Sequence, residues 1–77
     1  MSLVEILLNG ESKRIRMGIT VAELVEDLGL IPDQLAIEYN LNIIKKTKWT
    51  EIALTQGDQI EIVHFVGGGS WSFETQS

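Results

Sequence analysis

The chain has 77 residues, a formal net charge of −5, no cysteine and a single histidine, His64. This length allows one small domain with a modest core, and the missing cysteine excludes disulfides, cysteine-ligated metal sites and a thiol nucleophile. The acidic charge argues against nucleic acid as a partner. The N-terminus lacks the pattern of a signal peptide, and no apolar run approaches the length of a membrane span. We therefore expect a cytoplasmic protein that uses neither a membrane nor nucleic acid as a partner.

The first two predicted strands form a hairpin. Residues 3–8 are mostly apolar, Asn9-Gly10 suits the positive φ angles of a type I′ turn, and residues 13–17 alternate polar with apolar side chains. A two-residue turn fixes the pairing of the strands. The predicted partners are Val4 with Ile15 and Ile6 with Lys13.

The two faces of this hairpin are expected to differ, because alternate residues of a strand point to opposite sides. The predicted core face carries Val4, Ile6, Leu8, Ile15 and Met17. Leu3 and Leu7 fall on the opposite face.

A short helix is predicted over residues 21–28. Thr20 is its candidate N-cap, and Glu23, three positions later, completes a capping box. Gly29 fits the C-terminal stop, and Pro32 prevents easy continuation. The apolar residues recur at the spacing of one helical face, which is formed by Val21, Leu24, Val25 and Leu28. A helix this short needs packing against a sheet to persist.

The second half of the chain predicts three further strands. Residues 35–39 form the third strand, Asn40-Leu41-Asn42 a turn, and Ile43-Ile44 a short return strand. Gly57-Asp58 forms the last turn before a strand over residues 59–65.

The segment between these strands contains Lys45, Lys46, Lys48 and Trp49. The three lysines are interpreted as a solvated surface. Trp49 is expected to cover one edge of the core with its indole N–H near water, because the ring is apolar but its N–H needs a partner.

The element order ββαβ(β)β predicts an α+β fold, in which a mixed sheet of four to five strands packs on one main helix and the first and last strands are parallel and central. One helix covers only one sheet face, which is expected to carry Val4, Ile6, Ile15, Ile60 and Ile62. If the first and last strands are neighbours, the open face holds a candidate partner-binding patch of Leu3, Leu7, Val63 and Phe65. Exposed apolar patches often mark interfaces, but an ordinary half-apolar sheet surface explains these residues equally well.

The last predicted strand runs directly into Val66-Gly67-Gly68-Gly69. Glycine lets another molecule approach the backbone closely, and a triple glycine weakens a strand interior, so this run should lie outside the sheet. Four extended residues reach at most about 13–14 Å, which suits a slender arm entering an enzyme channel. The alternative is a flexible linker or a frayed chain end.

Residues 60–69 join a strand to the glycine tail without a gap, and weaker signatures lie at residues 8–10, 20–24, 36–40 and 57–58. In these stretches the chain resembles the ThiS-type sulfur carriers of thiamine biosynthesis, which are small ubiquitin-like β-grasp proteins. The resemblance extends over residues 3–69. It implies a β-grasp domain over residues 1–66 and a flexible tail over residues 67–77.

The resemblance also implies a function at Gly69. In this family, an E1-like enzyme of the ThiF type adenylates the carboxylate of the terminal glycine with ATP and magnesium. Sulfur from a donor then replaces AMP, and the resulting thiocarboxylate donates sulfur to thiazole synthase. By position, Gly69 is the modified residue, and Val66, Gly67 and Gly68 form its approach. The chain is thus expected to be a protein cosubstrate and not an enzyme, with no bound cofactor or metal of its own.

Two features depart from the family pattern. Family members commonly have Asn-Gly where this chain has Asn40-Leu41, so this turn is expected to differ. Residues 70–77 follow Gly69, and a peptide-bonded glycine has no carboxylate to adenylate. Either a protease removes these eight residues, or this form is inactive, or they are an artefact of expression. We favour a native precursor tail, because Trp71 and Phe73 are unlike a common tag and some related carriers are trimmed by a metalloprotease.

Other functions remain open at this point. The alternatives are a sulfur carrier for molybdopterin, cysteine or a secondary metabolite, a ubiquitin-like modifier joined through its glycine to lysines, and a plain interaction domain with a glycine linker. An enzyme is the least supported class, since the sequence shows no paired acid and base, phosphate-binding loop or nucleophile–base pair. His64 is interpreted as a surface residue at a strand end.

Overall fold

The computed structural model describes residues 2–64. They form five strands and one α-helix, which are β1 (Leu3–Leu8), β2 (Glu11–Arg16), α1 (Val21–Asp27), β3 (Leu35–Tyr39), β4 (Asn42–Ile44) and β5 (Gln59–His64). Two short 3₁₀ turns span Pro32–Gln34 and Lys46–Lys48. The predicted domain boundary at residue 66 and the tail over residues 67–77 lie outside the described residues.

The five strands form one mixed sheet in the order β2-β1-β5-β3-β4. β1 and β5 are parallel, and the other neighbouring pairs are antiparallel. A parallel pair needs a long crossover connection, and the chain between β1 and β5 supplies one that contains α1. The predicted α+β arrangement, a mixed sheet packed on one helix with the first and last strands adjacent, is confirmed.

The first hairpin has the predicted turn and register. Asn9 and Gly10 take positive φ angles of 52° and 83°, as a type I′ turn requires. The predicted pairs are confirmed, with Val4 opposite Ile15 and Ile6 opposite Lys13.

Met17 does not join the core, and its prediction is wrong. β2 ends at Arg16, so the strand alternation stops before Met17, which lies in a turn with Gly18, whose φ is 86°. The Met17 side chain is therefore 57% exposed. Leu8, from the same predicted face, is half-buried and packs against the core.

The helix begins with the predicted capping box. Thr20 Oγ1 accepts a hydrogen bond from the Glu23 N–H at 3.1 Å, and Glu23 Oε1 accepts one from the Thr20 N–H at 2.9 Å. The helix ends at Asp27, one residue before the predicted end. Its buried face is the predicted one, with Val21, Leu24 and Val25 buried and Leu28 half-buried.

The core lies between α1 and the helix-facing side of the sheet. Its buried apolar residues are Val4, Ile6, Ile15, Ile19, Val21, Leu24, Val25, Leu35, Ile37, Trp49, Leu54, Ile60 and Ile62. All five strand residues predicted to face the helix are among them. Ile19 and Leu54 lie outside the strands and the helix, where no periodic pattern marked them as core residues.

Trp49 is more deeply buried than predicted. Its side chain is 3% exposed, and the indole N–H is buried without a hydrogen-bond partner among the described residues, so the prediction of an N–H near water is wrong. Burying an indole ring stabilises a fold by about 4–6 kcal/mol. This exceeds the cost of an unsatisfied donor, which is about 1–3 kcal/mol.

The turn between β3 and β4 has the shape of an Asn-Gly turn although leucine occupies its second position. Asn40 and Leu41 take positive φ angles of 49° and 74°. The Cβ of leucine makes such a conformation unfavourable by about 1–2 kcal/mol. The Asn40-Leu41 turn therefore differs from an Asn-Gly turn in its backbone strain and not in its shape.

Candidate functional site

The candidate site lies beyond the carboxyl end of β5. β5 ends at the exposed His64, and Gly69 is five residues further along the chain. The predicted site itself, Gly69 with its approach Val66, Gly67 and Gly68, lies outside the described residues. What the structure shows is how the strand that leads to the site is held.

β5 is held on both sides, but unequally. β3 pairs with it from Ile60 through His64, whereas β1 pairs only with Gln59 and Ile60. The side chains of Ile60 and Ile62 are 1% and 9% exposed and anchor the strand in the core. Within residues 2–64, the last part of β5 therefore has a neighbouring strand only on the β3 side.

Asn9 extends the contact between the first hairpin and β5. Its backbone N–H donates to the Ile60 carbonyl at 2.8 Å, and its side-chain Oδ1 accepts from the Ile62 N–H at 2.7 Å. Sequence reasoning assigned Asn9 only to the hairpin turn. Asn9 and Ile62 are 53 positions apart, so no local pattern reveals this bond.

A buried carboxylate holds the start of β5. Asp58 is 7% exposed and accepts hydrogen bonds from the Thr55 N–H at 2.9 Å, the Tyr39 hydroxyl at 3.1 Å and the Asn40 side-chain amide at 3.2 Å. A buried carboxylate is tolerated only when its oxygens are hydrogen-bonded, and these three donors meet that need. Sequence reasoning identified Gly57-Asp58 only as a turn.

Asn40 and Tyr39 connect this network to the sheet. Asn40 Oδ1 accepts from the Gln59 N–H, and the Asn40 N–H donates to the Gln59 carbonyl, both at 2.8 Å. Burial raises the pKa of Tyr39 above its ordinary value of 10.0, and the hydrogen bond to Asp58 and the charge of Asp58 raise it further. The phenol therefore stays neutral and donates throughout the physiological range.

The predicted apolar patch on the open sheet face is not continuous. Leu3 and Leu7 are 56% and 40% exposed, and Val63 is half-buried on the same face. Leu7 lies beside Gln59, so Val63 is four residues further along β5, about 13 Å away, at a level that β1 does not reach. The register thus separates Val63 from Leu3 and Leu7, and Phe65 lies outside the described residues.

Val63 has different neighbours from those predicted. Ala36 lies opposite it, and at the next level on this face Glu61 lies opposite Glu38, which in turn lies opposite Ile43. Like charges directly opposite each other repel, and none of the ion pairs within residues 2–64 includes either carboxylate. Ile43 is 72% exposed. Sequence reasoning missed the grouping of Val63, Glu61, Glu38 and Ile43 on this face. The grouping depends on which residues of three strands lie opposite one another.

Residues 2–64 contain no group of three or more histidine, aspartate or glutamate side chains placed to hold a metal ion. In the same part of the chain, no helix is long and apolar enough to cross a membrane.

The model of the ThiS family matches residues 6–69. The chain belongs to the ThiS family. The matched region includes most of the described sheet, the helix and the glycine run, and it ends at Gly69. Residues 70–77 lie beyond it.

Two relatives and one solved structure extend this comparison. The sulfur carrier protein ThiS of Bacillus subtilis is 44% identical over 54 residues, which cover 57% of this chain and 82% of that protein. The thiazole synthase of Paramagnetospirillum magneticum is 37% identical over 67 residues, which cover 87% of this chain but 21% of that protein. The chain therefore spans about a fifth of the length of that relative.

The crystal structure of the thiamine biosynthesis protein ThiS from Geobacter metallireducens has the same fold. Its TM-score is 0.75 at 22% identity, and the match covers 86% of this chain and 100% of that one. This likeness confirms the predicted β-grasp fold of the sheet and the helix.

Proposed function

We propose that this chain is a sulfur carrier of thiamine biosynthesis, in which the Gly69 carboxylate is adenylated and then converted to a thiocarboxylate. The observation that carries this proposal is the ThiS family match, which runs through the glycine run and ends at Gly69. The anchoring of β5 by the core and by hydrogen bonds on both sides supports it, because it fixes the strand from which the glycine run leaves.

The chemistry requires activation, since a carboxylate is a poor electrophile until one oxygen becomes part of a good leaving group. A Gly69 carboxylate oxygen attacks the α-phosphorus of ATP, and diphosphate leaves. A hydrosulfide equivalent from a sulfur donor then attacks the carbonyl carbon, and AMP leaves. Loss of the S–H proton gives the thiocarboxylate. We assign ATP, magnesium and the catalytic side chains to an E1-like enzyme of the ThiF type, so the chain acts as a protein cosubstrate and not as an enzyme.

The relative from P. magneticum supports thiazole formation as the destination of the sulfur. In that protein, a segment similar to this chain makes up about a fifth of a polypeptide named thiazole synthase. We therefore propose thiazole synthase as the partner that takes sulfur from Gly69, and we place the reactions in the cytoplasm, where ATP is supplied.

We propose that the partner enzymes contact the open sheet face. Val63, near the end of β5, forms one contact region together with Phe65, which is the next residue but one in the sequence. Leu3 and Leu7 form a second region on β1. Apolar side chains of this kind often dominate the binding energy of an interface.

In the 77-residue chain, a peptide bond joins Gly69 to Ser70. An amide has no carboxylate oxygen to attack ATP, so we propose that a protease cuts this bond before activation. The family match, which stops at Gly69, supports a cut at this position.

Intact mass spectrometry tests the proposal. The 77-residue chain and a chain ending at Gly69 are each incubated with a ThiF-type enzyme, ATP, magnesium and a sulfur donor. We expect the shorter chain alone to gain the mass difference between sulfur and oxygen. Gly69→Leu in the shorter chain is expected to stay unmodified, because its side chain obstructs a channel built for bare backbone.

Two results would contradict the proposal. A thiocarboxylate on the untrimmed chain would exclude the precursor mechanism. The B. subtilis carrier serves as a positive control for the same enzyme. If that carrier is converted and the chain ending at Gly69 stays unmodified, the carrier function is excluded under these conditions.

A further inference from the structure

The first hairpin turns away from β5 before β5 ends. β1 pairs with β5 only at Gln59 and Ile60, and β5 continues to His64. Beyond Ile60, the described bond from the hairpin to the β5 backbone is the one between Asn9 Oδ1 and the Ile62 N–H, at 2.7 Å. The side-chain oxygen of Asn9 thus accepts the hydrogen bond that the Asn9 backbone carbonyl would accept if regular parallel pairing continued.

The turn itself does not require this bond. Asn9 has a φ of 52°, which asparagine tolerates and which glycine adopts freely. Glycine at this position would form the same type I′ turn but would have no oxygen to offer Ile62. Asparagine therefore has two separable roles here, one in the turn and one on β5.

The second role acts near the end of β5, from which the chain continues to Gly69. Ile62 is seven residues before Gly69, and it is the last core residue of β5. Without the Asn9 oxygen, β3 is the one described segment whose backbone pairs with β5 beyond Ile60, and we expect the strand end to move more freely even though Ile62 stays in the core. More conformational freedom must then be lost when the residues after β5 enter an enzyme channel, which weakens binding.

We infer that Asn9 is a positioning residue for activation of Gly69, acting through its hydrogen bond to the Ile62 N–H. The inference rests on the proposed function. Asn9 contacts neither Gly69 nor ATP in this scheme. It restricts the directions in which the chain leaves the sheet, so it lowers the KM of the activating enzyme for the carrier and leaves kcat unchanged.

The test compares Asn9→Gly with Asn9→Asp and Asn40→Gly. Asn9→Gly keeps the turn and removes the acceptor, whereas Asn9→Asp keeps an acceptor oxygen on a residue that tolerates positive φ. Asn40→Gly is the matched control, because Asn40 also has a positive φ, of 49°, and also accepts a β5 N–H, at 2.8 Å, but at the start of the strand. Asn9→Ala is a second deletion of the oxygen.

Two measurements are made on each variant. Hydrogen exchange of the Ile62 amide is followed in the full 77-residue chain. Steady-state adenylation by a ThiF-type enzyme is followed with chains that end at Gly69, which keep every described residue, at a temperature where thermal melts show each variant folded. Losing one hydrogen bond corresponds to about a five-fold change in an equilibrium, so we expect Asn9→Gly to speed Ile62 exchange and raise KM by about five-fold each.

The expected pattern is a raised KM with unchanged kcat for Asn9→Gly and Asn9→Ala, near-normal values for Asn9→Asp, and a normal KM for Asn40→Gly despite lower stability. Equal KM values for Asn9→Gly and Asn40→Gly, with an active wild-type chain, would overturn the inference and leave the carrier function standing. A fall in kcat alone would also overturn it. An inert wild-type chain would overturn both.

Discussion

Replacing Leu41 with glycine should stabilise this protein. Leu41 has a φ of 74°, and its side chain is 79% exposed, so the substitution relieves strain while removing few contacts. A left-handed conformation costs a non-glycine residue about 1–2 kcal/mol. Glycine loses more entropy on folding, by roughly 0.5–1 kcal/mol. The difference is a net stabilisation of about 0.5–1 kcal/mol, which corresponds to a rise in Tm of about 2–8 °C for a domain of this size.

Urea unfolding at constant m-value measures this change, and Leu41→Ala is the matched control. Alanine also removes the exposed side chain but keeps the Cβ that causes the strain, so we expect its free energy of unfolding to stay within about 0.5 kcal/mol of wild type. A gain for Leu41→Ala as large as that for Leu41→Gly would show that the side chain, and not the backbone, is responsible. A loss of stability for Leu41→Gly would refute the assignment of strain to this turn.

Two further predictions concern the β5 network and the open sheet face. The pKa of Tyr39 is raised above 10.0 in the folded protein, so folding favours the neutral phenol. The resulting stabilisation is complete below pH 10.0 and is lost as the pH rises through the folded pKa. Urea unfolding at a series of pH values above neutral should show this loss in the free energy of unfolding of wild type, whereas the free energy of unfolding of Tyr39→Phe should depend less on pH. Identical pH dependences for the two proteins would contradict the prediction. Val63→Asp should weaken binding of the ThiF-type enzyme by about 1 kcal/mol or more, measured by calorimetry on chains ending at Gly69. Leu7→Asp, about 13 Å away along the face, should weaken it less; unchanged affinity of Val63→Asp with a lowered Tm would assign Val63 to the core instead.

Local sequence patterns were sufficient to predict the helix, the strands and much of the core. Asn9-Gly10 fixed a two-residue turn, and that turn determined the register of β1 and β2 residue by residue. Thr20 and Glu23 marked the start of the helix, because the capping box is formed by residues three positions apart. Strand alternation and helical spacing then identified which side chains face the core. These features could be predicted because their physical causes act within a few residues of sequence.

The site depended on contacts that no local pattern contains. The register of β1 against β5 separated Val63 from Leu3 and Leu7. A sequence alone does not show the register of two parallel strands that are far apart in the chain. The register of β3 against β5 brought Glu61 opposite Glu38. Errors at Met17 and Trp49 have a similar origin, since the end of a strand and the depth of a ring are set by what packs around them.

The sequence by itself determined the hairpin, the capped helix, most of the inward-facing residues of the strands and the helix, and the likeness to the ThiS family. Only the tertiary structure decided that a side chain in the first turn, Asn9, reaches the last strand at Ile62, and that a buried carboxylate, Asp58, organises the start of that strand. The physical reason is that turns and caps are stabilised by neighbours in the chain. Hydrogen bonds between strands 53 positions apart exist only after the whole sheet has assembled around its core.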